Sequence, residues 1–210
     1  MRRLVYYIVA RTACKRYSET KQNIIEAGCE AMIAKSYNGA GLNEILKEAG
    51  VPKGSFYHFF KSKEELGIAV IEKSVDENIQ ALRQRLSDRS QTPGQRLRGY
   101  YVWARDHLQS VGFRRECLIS KLALEIGTLS EPMQSAVRCG WDQWRSIIAQ
   151  CVREGQQSGE IDPNQDAEAL SDFMISAFEG VLIRVQINND VAPIDEFLHF
   201  VFDVLIPPRG

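Results

Sequence analysis

Residues 51–66 read VPKGSFYHFFKSKEEL and place three Phe and one Tyr within positions 56–60, flanked by Lys53, Lys61 and Lys63. A solvent loop has no need of so many rings, and a core has no need of so many lysines. A short helix anchored on one side and offered to a polyanion on the other needs both. Phe56 and Phe60 stand four residues apart, share one helical face and read as core. The opposite side presents Lys53, Ser55, Tyr57, His58 and Phe59, with Gly54 permitting close backbone approach. Just upstream, Leu42, Ile45, Leu46 and Ala49 follow the i, i+3, i+4, i+7 spacing of a second short helix, against which the two Phe should pack. Gly50 lies just past its end, where a left-handed residue is favoured, and Pro52 suits the first turn of the helix that follows. Two short helices joined by a tight turn form the helix-turn-helix pattern. Its open side fits a DNA major groove: lysines and a helix N-terminus for phosphates, short polar and aromatic groups for base edges and thymine methyls. Lys61 reads equally as a solvated helix-end charge.

Outward from this stretch, nearly every segment carries helical periodicity, and strand alternation is weak. Ser18 or Thr20 is expected to cap a first helix bearing Ile24, Ala27, Gly28, Ala31 and Met32, which ends near SYNGAG at 36–41. Ser62 and Glu65 form an S-x-x-E capping box that opens a fourth helix running to about residue 89. SDRSQTPG, 87–94, reads as a linker, and five further helices are expected at about 95–111, 114–127, 131–157, 166–188 and 194–205. The fold class is therefore all-α, with about nine helices.

The chain has 210 residues and a net charge of −1, which conceals an asymmetry. Residues 1–63 hold eleven Lys and Arg against five Asp and Glu, a net of +6, and the remainder carries −7. A basic first third on a mildly acidic remainder suggests different partners for the two parts, the first a polyanion. Five cysteines, Cys14, Cys29, Cys117, Cys139 and Cys151, are an odd number without metal-ligand spacing and read as reduced thiols of a cytoplasmic protein. No cofactor or metal is expected. The opening MRRLVYYIVARTAC imitates a secretory signal, but its apolar run is seven residues long, Arg11 breaks it, and no cleavage site follows. Residues 1–17 read as a poorly specified leader, disordered or a matter of start-site choice; no stretch approaches the ~20 apolar residues of a membrane span.

From Thr20 to Leu66, the run TKQNIIEAGCEAMIAKSYNGAGLNEILKEAGVPKGSFYHFFKSKEEL resembles the N-terminal domain of TetR/AcrR-family transcriptional repressors. The resemblance implies a helix-turn-helix head at 18–63 and a regulatory and dimerisation domain at 64–210. It also implies a homodimer on a palindromic operator and a small-molecule inducer. By position, Lys53, Gly54, Ser55, Tyr57, His58 and Phe59 fall on the recognition helix. Lys63 is expected to hold a phosphate at the start of the fourth helix, and Asn43 one at the start of the second. The family often caps that second helix with Ser or Thr; here Gly41 stands in that place, so a side-chain phosphate contact is missing.

In the second half, RRECLISKLALEIGTLSEPMQSAV, from Arg114, resembles the subgroup typified by the N-ethylmaleimide-reductase repressor, which answers electrophiles through a cysteine. The corresponding residue is Cys117, with Arg114 and Lys121 at helical spacing to favour its thiolate, and Glu116 and Glu125 opposing them. A thiolate there would be alkylated or oxidised; a buried, unreactive cysteine is the plainer reading. A non-covalent pocket lined by Trp103, His107, Trp141, Trp144, Phe178 and Arg184 is the competing mechanism. An apolar excess around Phe173, Ala177, Val181, Phe197 and Val201 suggests a four-helix dimer interface. A thiol enzyme built on Cys117 is disfavoured, because His58, His107 and His199 are scattered and no Cys–His–Asp arrangement is apparent.

Overall fold

A computed structural model describes the backbone of residues 2–113, 118–126 and 130–208, and side chains from Tyr17 onward apart from a few in the 118–126 segment. Among the described residues it is all-α: α1 Arg2–Gly39, α2 Leu42–Glu48, α3 Lys53–Phe56, α4 Lys63–Leu86, α5 Pro93–Ser110, α6 Leu118–Ile126, α7 Glu131–Gln157, α8 Ala167–Asn188 and α9 Ala192–His199, with a closing π-helical turn Phe200–Leu205. The chain divides into two compact units, Met1–Lys73 with Lys121–Ala136, and Ser74–Ser120 with Val137–Gly210. Among the described residues no helix is long and apolar enough to cross a membrane.

The first unit is closed by the apolar stripes expected of α1 and α2. Ile24, Met32, Ile45 and Leu46 are buried, as are Phe56, Phe60, Leu66, Val70 and Met133. Helix α4 is packed tightly at Gly67, where a Cβ would stand 2.6 Å from the Met133 methyl and 3.0 Å from the Tyr37 ring. Neither Ser18 nor Thr20 opens α1, whose helical backbone runs through both positions. The helix is instead interrupted near its far end, at Ser36, with φ 61° and ψ 177°. The Ser62–Glu65 box is half-formed: Glu65 N–H donates to Ser62 Oγ at 3.2 Å, while the Glu65 carboxylate accepts from Lys61 N–H at 2.6 Å.

The second unit is built around Tyr101, which is fully buried with its ring 4.9 Å from both Phe178 and Phe197 and 6.0 Å from Phe202. The linker before α5 hides a full capping box, since Thr92 accepts from Gln95 N–H while the Gln95 side chain accepts from Thr92 N–H. Asp166 caps α8 through Glu168 and Ala169 N–H, and Asn189 ends it in the left-handed conformation. The last expected helix is split, its ladder switching to i→i−5 bonding from Phe200, as in Ile206 N–H to Val201 C=O at 2.9 Å.

Candidate nucleic-acid interface

Helix α2 starts at Gly41, which supplies no side-chain cap, and ends in a Schellman turn. Val51 N–H donates to Leu46 C=O at 2.9 Å and Gly50 N–H to Lys47 C=O at 3.2 Å. Gly50 takes φ +66°, so the left-handed position read from the sequence is occupied by the residue that tolerates it. Pro52 then sits at the N-cap of α3 rather than in its first turn.

Helix α3 is a single turn, far short of the ~12–15 residues an isolated helix needs. Its place is held by Phe56, fully buried, and Phe60, whose ring lies 5.6 Å from it. Full burial of each such side chain is worth roughly 1.5–3 kcal/mol, enough to hold one turn. The chain leaves the helix through short-range bonds, His58 N–H to Ser55 C=O at 3.1 Å and Phe59 N–H to Phe56 C=O at 2.8 Å. These anchors leave Lys53, Gly54, Tyr57 and His58 exposed, Tyr57 by 56%, with Ser55 and Phe59 half-covered. A Cβ on Gly54 would meet nothing within 4 Å, which leaves the backbone open to a partner there.

Two of the sequence candidates are engaged otherwise. Lys63 is half-buried, its ammonium donating to the Tyr37 carbonyl and lying 4.5 Å from the Tyr37 ring centroid. Burial pulls its pKa below the ordinary lysine value, against the attraction of Glu125. The Phe59 ring packs tilted against Tyr17, centroids 4.6 Å apart, and the Tyr17 hydroxyl donates to the His58 carbonyl at 3.1 Å. Tyr17 therefore props the segment that carries the candidate contacts. Sequence reading missed it because it falls in what reads as a leader. Asn43 is exposed in the first turn of α2.

Cys117 and Arg114 lie outside the described residues. The Lys121 ammonium is described: it donates to the Ile33 carbonyl at 2.6 Å. Of the pocket candidates, Trp103 and His107 are in ring contact with one another. Trp103 lies under the Arg85 guanidinium, 4.5 Å from its centroid, and stacks with His107 at 5.5 Å. Phe178 belongs to the closed cluster around Tyr101, and Arg184 pairs with Glu196 at 3.2 Å on the surface. Trp141 and Trp144 keep buried indole N–H groups without an acceptor among the described residues. Burial pushes the Glu179 carboxyl up to about 7. Two dimer candidates need correction: Phe197 and Val201 are buried within the chain itself, Phe197 5.3 Å from the Phe178 ring, so neither is offered to a second copy. Exposed apolar side chains are Phe173, Ile183 and Ile187 on α8 and Phe200, Val204 and Leu205 in the π turn, with Ala177 and Val181 half-buried. Among the described residues no group of His, Cys, Asp and Glu is arranged to hold a metal.

A helix-turn-helix with its recognition side exposed, followed by a separate helical unit, defines a class of DNA-binding regulators. Residues 24–70 match the family described as bacterial regulatory proteins, tetR family, and residues 93–201 match the tetracyclin repressor-like C-terminal domain. The chain belongs to the TetR family. It is similar to the HTH-type transcriptional repressor DhaR of Mycobacterium sp. (strain GP1), 31% identical over 89% of this chain and 92% of the relative. It is also similar to the transcriptional regulator AcuR of Cereibacter sphaeroides, 36% identical over 86% and 84%. The HTH-type transcriptional repressor NemR of Escherichia coli is 28% identical over 90% and 96%, and its solved reduced form matches with a TM-score of 0.82 at 26% identity, covering 91% of this chain and 98% of that one. These relatives are named as regulators, and the chain is not an enzyme.

Proposed function

We propose that the chain is a cytoplasmic, homodimeric repressor. In this reading each copy lays α3 and the Tyr57–Phe59 turn in the major groove of one half of a palindromic operator. The observation that carries it is the exposed Lys53, Gly54, Tyr57 and His58 face on a turn of helix held from behind by Phe56 and Phe60. Lys53 meets phosphate, and Tyr57 and His58 meet base edges. Residues 18–63 act as the head and 64–210 as the regulatory and dimerisation part. The exposed stripe Phe173, Ile183, Ile187 and Phe200 supports a second copy as its cover, since so many large apolar side chains are not left to water on a monomer.

Release is assigned to Cys117. The likeness to E. coli NemR and the cationic neighbours in the sequence support alkylation or oxidation of its thiolate by a reactive electrophile or oxidant. A second reading is favoured by the two unpartnered indole N–H groups of Trp141 and Trp144, which suit a reversible effector carrying an acceptor oxygen. A gel shift on the duplex upstream of the chain's own gene separates the two, run with wild type and Cys117→Ser before and after N-ethylmaleimide. Wild type is expected to bind and be released, and Cys117→Ser to bind and stay. Release of both, or of neither, removes Cys117 as the sensor.

A further inference from the structure

The break at Ser36 has an unusual neighbour. A residue with φ 61° and ψ 177° occupies a region that is essentially reserved for glycine, and such a conformation persists only where its surroundings impose it. Within a regular helix, Tyr37 N–H would donate to Ile33 C=O and Asn38 N–H to Ala34 C=O. Here both N–H groups donate to one carboxylate on α6: Tyr37 N to Glu125 Oε2 and Asn38 N to Glu125 Oε1, each at 2.8 Å. The Ile33 carbonyl, given up by Tyr37, accepts from Lys121 Nζ at 2.6 Å. Lys121 and Glu125 are one helical turn apart on α6, so a single i, i+4 pair takes over three backbone groups that the break sets free. The helix resumes at Ala40 N–H to Ser36 C=O, 3.1 Å, and only Ala40 and Gly41 separate α1 from α2.

We infer that Glu125, with Lys121, is a positioning residue for DNA binding: the pair holds Ser36 in its broken conformation and so sets the direction in which the chain enters α2 and α3. The inference rests on the DNA-binding reading above. Without the carboxylate, Tyr37 and Asn38 N–H regain their partners by letting Ser36 turn helical, and the α2–α3 pair is carried round with it. Glycine at 36 occupies the broken conformation without strain and so lowers the cost that the clamp must offset.

The test is a fluorescence-anisotropy titration of the duplex upstream of the chain's own gene. Wild type, Glu125→Ala, Ser36→Gly and the double variant are compared at a temperature where circular dichroism shows all four folded. Glu125→Ala is expected to bind about tenfold more weakly, the scale of losing hydrogen bonds from a part-buried and an exposed backbone N–H to a charged carboxylate. Ser36→Gly should bind like wild type, and in the double variant should restore affinity to within about threefold of wild type. The rescue is what a stabilising role alone would not produce. Should Glu125→Ala lose its helical signal, Glu125→Gln, which keeps the volume but one acceptor oxygen, is read on the same criteria. A wild type that binds beside an equally tight Glu125→Ala, or a loss that Ser36→Gly leaves untouched, overturns the inference alone. A wild type that retains no duplex overturns the DNA-binding reading and the inference with it.

Discussion

Cys151 and Cys139 carry the same thiol into opposite surroundings. Cys151 is buried on α7, its Sγ 3.5 Å from the Pro93 carbonyl, and burial pushes its thiol up to about 11. Cys139 is exposed on the same helix. The thiolate is the nucleophile, so Cys151 is expected to react with N-ethylmaleimide at pH 8 at least about tenfold more slowly than Cys139. Peptide mass spectrometry of timed samples reads this directly; equal rates would contradict the burial assigned to Cys151. Side-chain periodicity made some residue roles legible and not others. Phe56 and Phe60 were readable as anchors because their i, i+4 spacing puts both on one face. Lys63 was not: the family resemblance implies a phosphate contact there, but which carbonyl takes its ammonium depends on where Tyr37 ends up, a matter of tertiary structure. Tyr17 had no signal at all, since nothing in its neighbourhood marks a partner 41 residues away.

At the scale of elements, helices with their own caps and stripes were legible to within a residue or two. The spans read as 131–157 and 166–188 are found as Glu131–Gln157 and Ala167–Asn188. The break in α1 and the π turn after α9 were not, because each depends on groups supplied from elsewhere in the chain or on a change of hydrogen-bond register that side-chain pattern does not encode. One further junction is held by charge. Glu154 of α7 accepts from Arg89 of the linker and from Arg96 of α5, which is only 4% exposed and also donates to the Leu86 carbonyl at 2.7 Å. The Arg89 hydrogen bond first, then Arg96, hold the Glu154 carboxyl at about 2, against the opposing effect of burial. A carboxyl held lower in the folded chain than in the unfolded one adds stability that is complete above about pH 4.5 and is lost as the pH falls toward about 2. Thermal melts from pH 6 to pH 3 are expected to show a steeper fall in Tm for wild type than for Glu154→Gln, which lacks the titrating group. Parallel curves would remove Glu154 from the acid transition.

For the molecule as a whole, the charge asymmetry and the exposed face of α3 make the same statement at two resolutions. The first 63 residues carry +6, and the open side of the helix-turn-helix displays Lys53 beside groups suited to base edges. A protein that meets phosphates with lysines releases counterions from DNA, so its affinity falls linearly in a plot of log K against log salt. The measurement that bears most directly on the account is the titration of the upstream duplex with wild type and Lys53→Ala across about 50–200 mM salt. The account predicts tight, steeply salt-dependent binding by wild type. For Lys53→Ala it predicts weaker binding with a slope shallower by about 2, because each copy of the proposed dimer then neutralises one phosphate fewer. Binding that ignores salt, or a Lys53→Ala curve that overlays wild type, would contradict the assignment of this face to DNA.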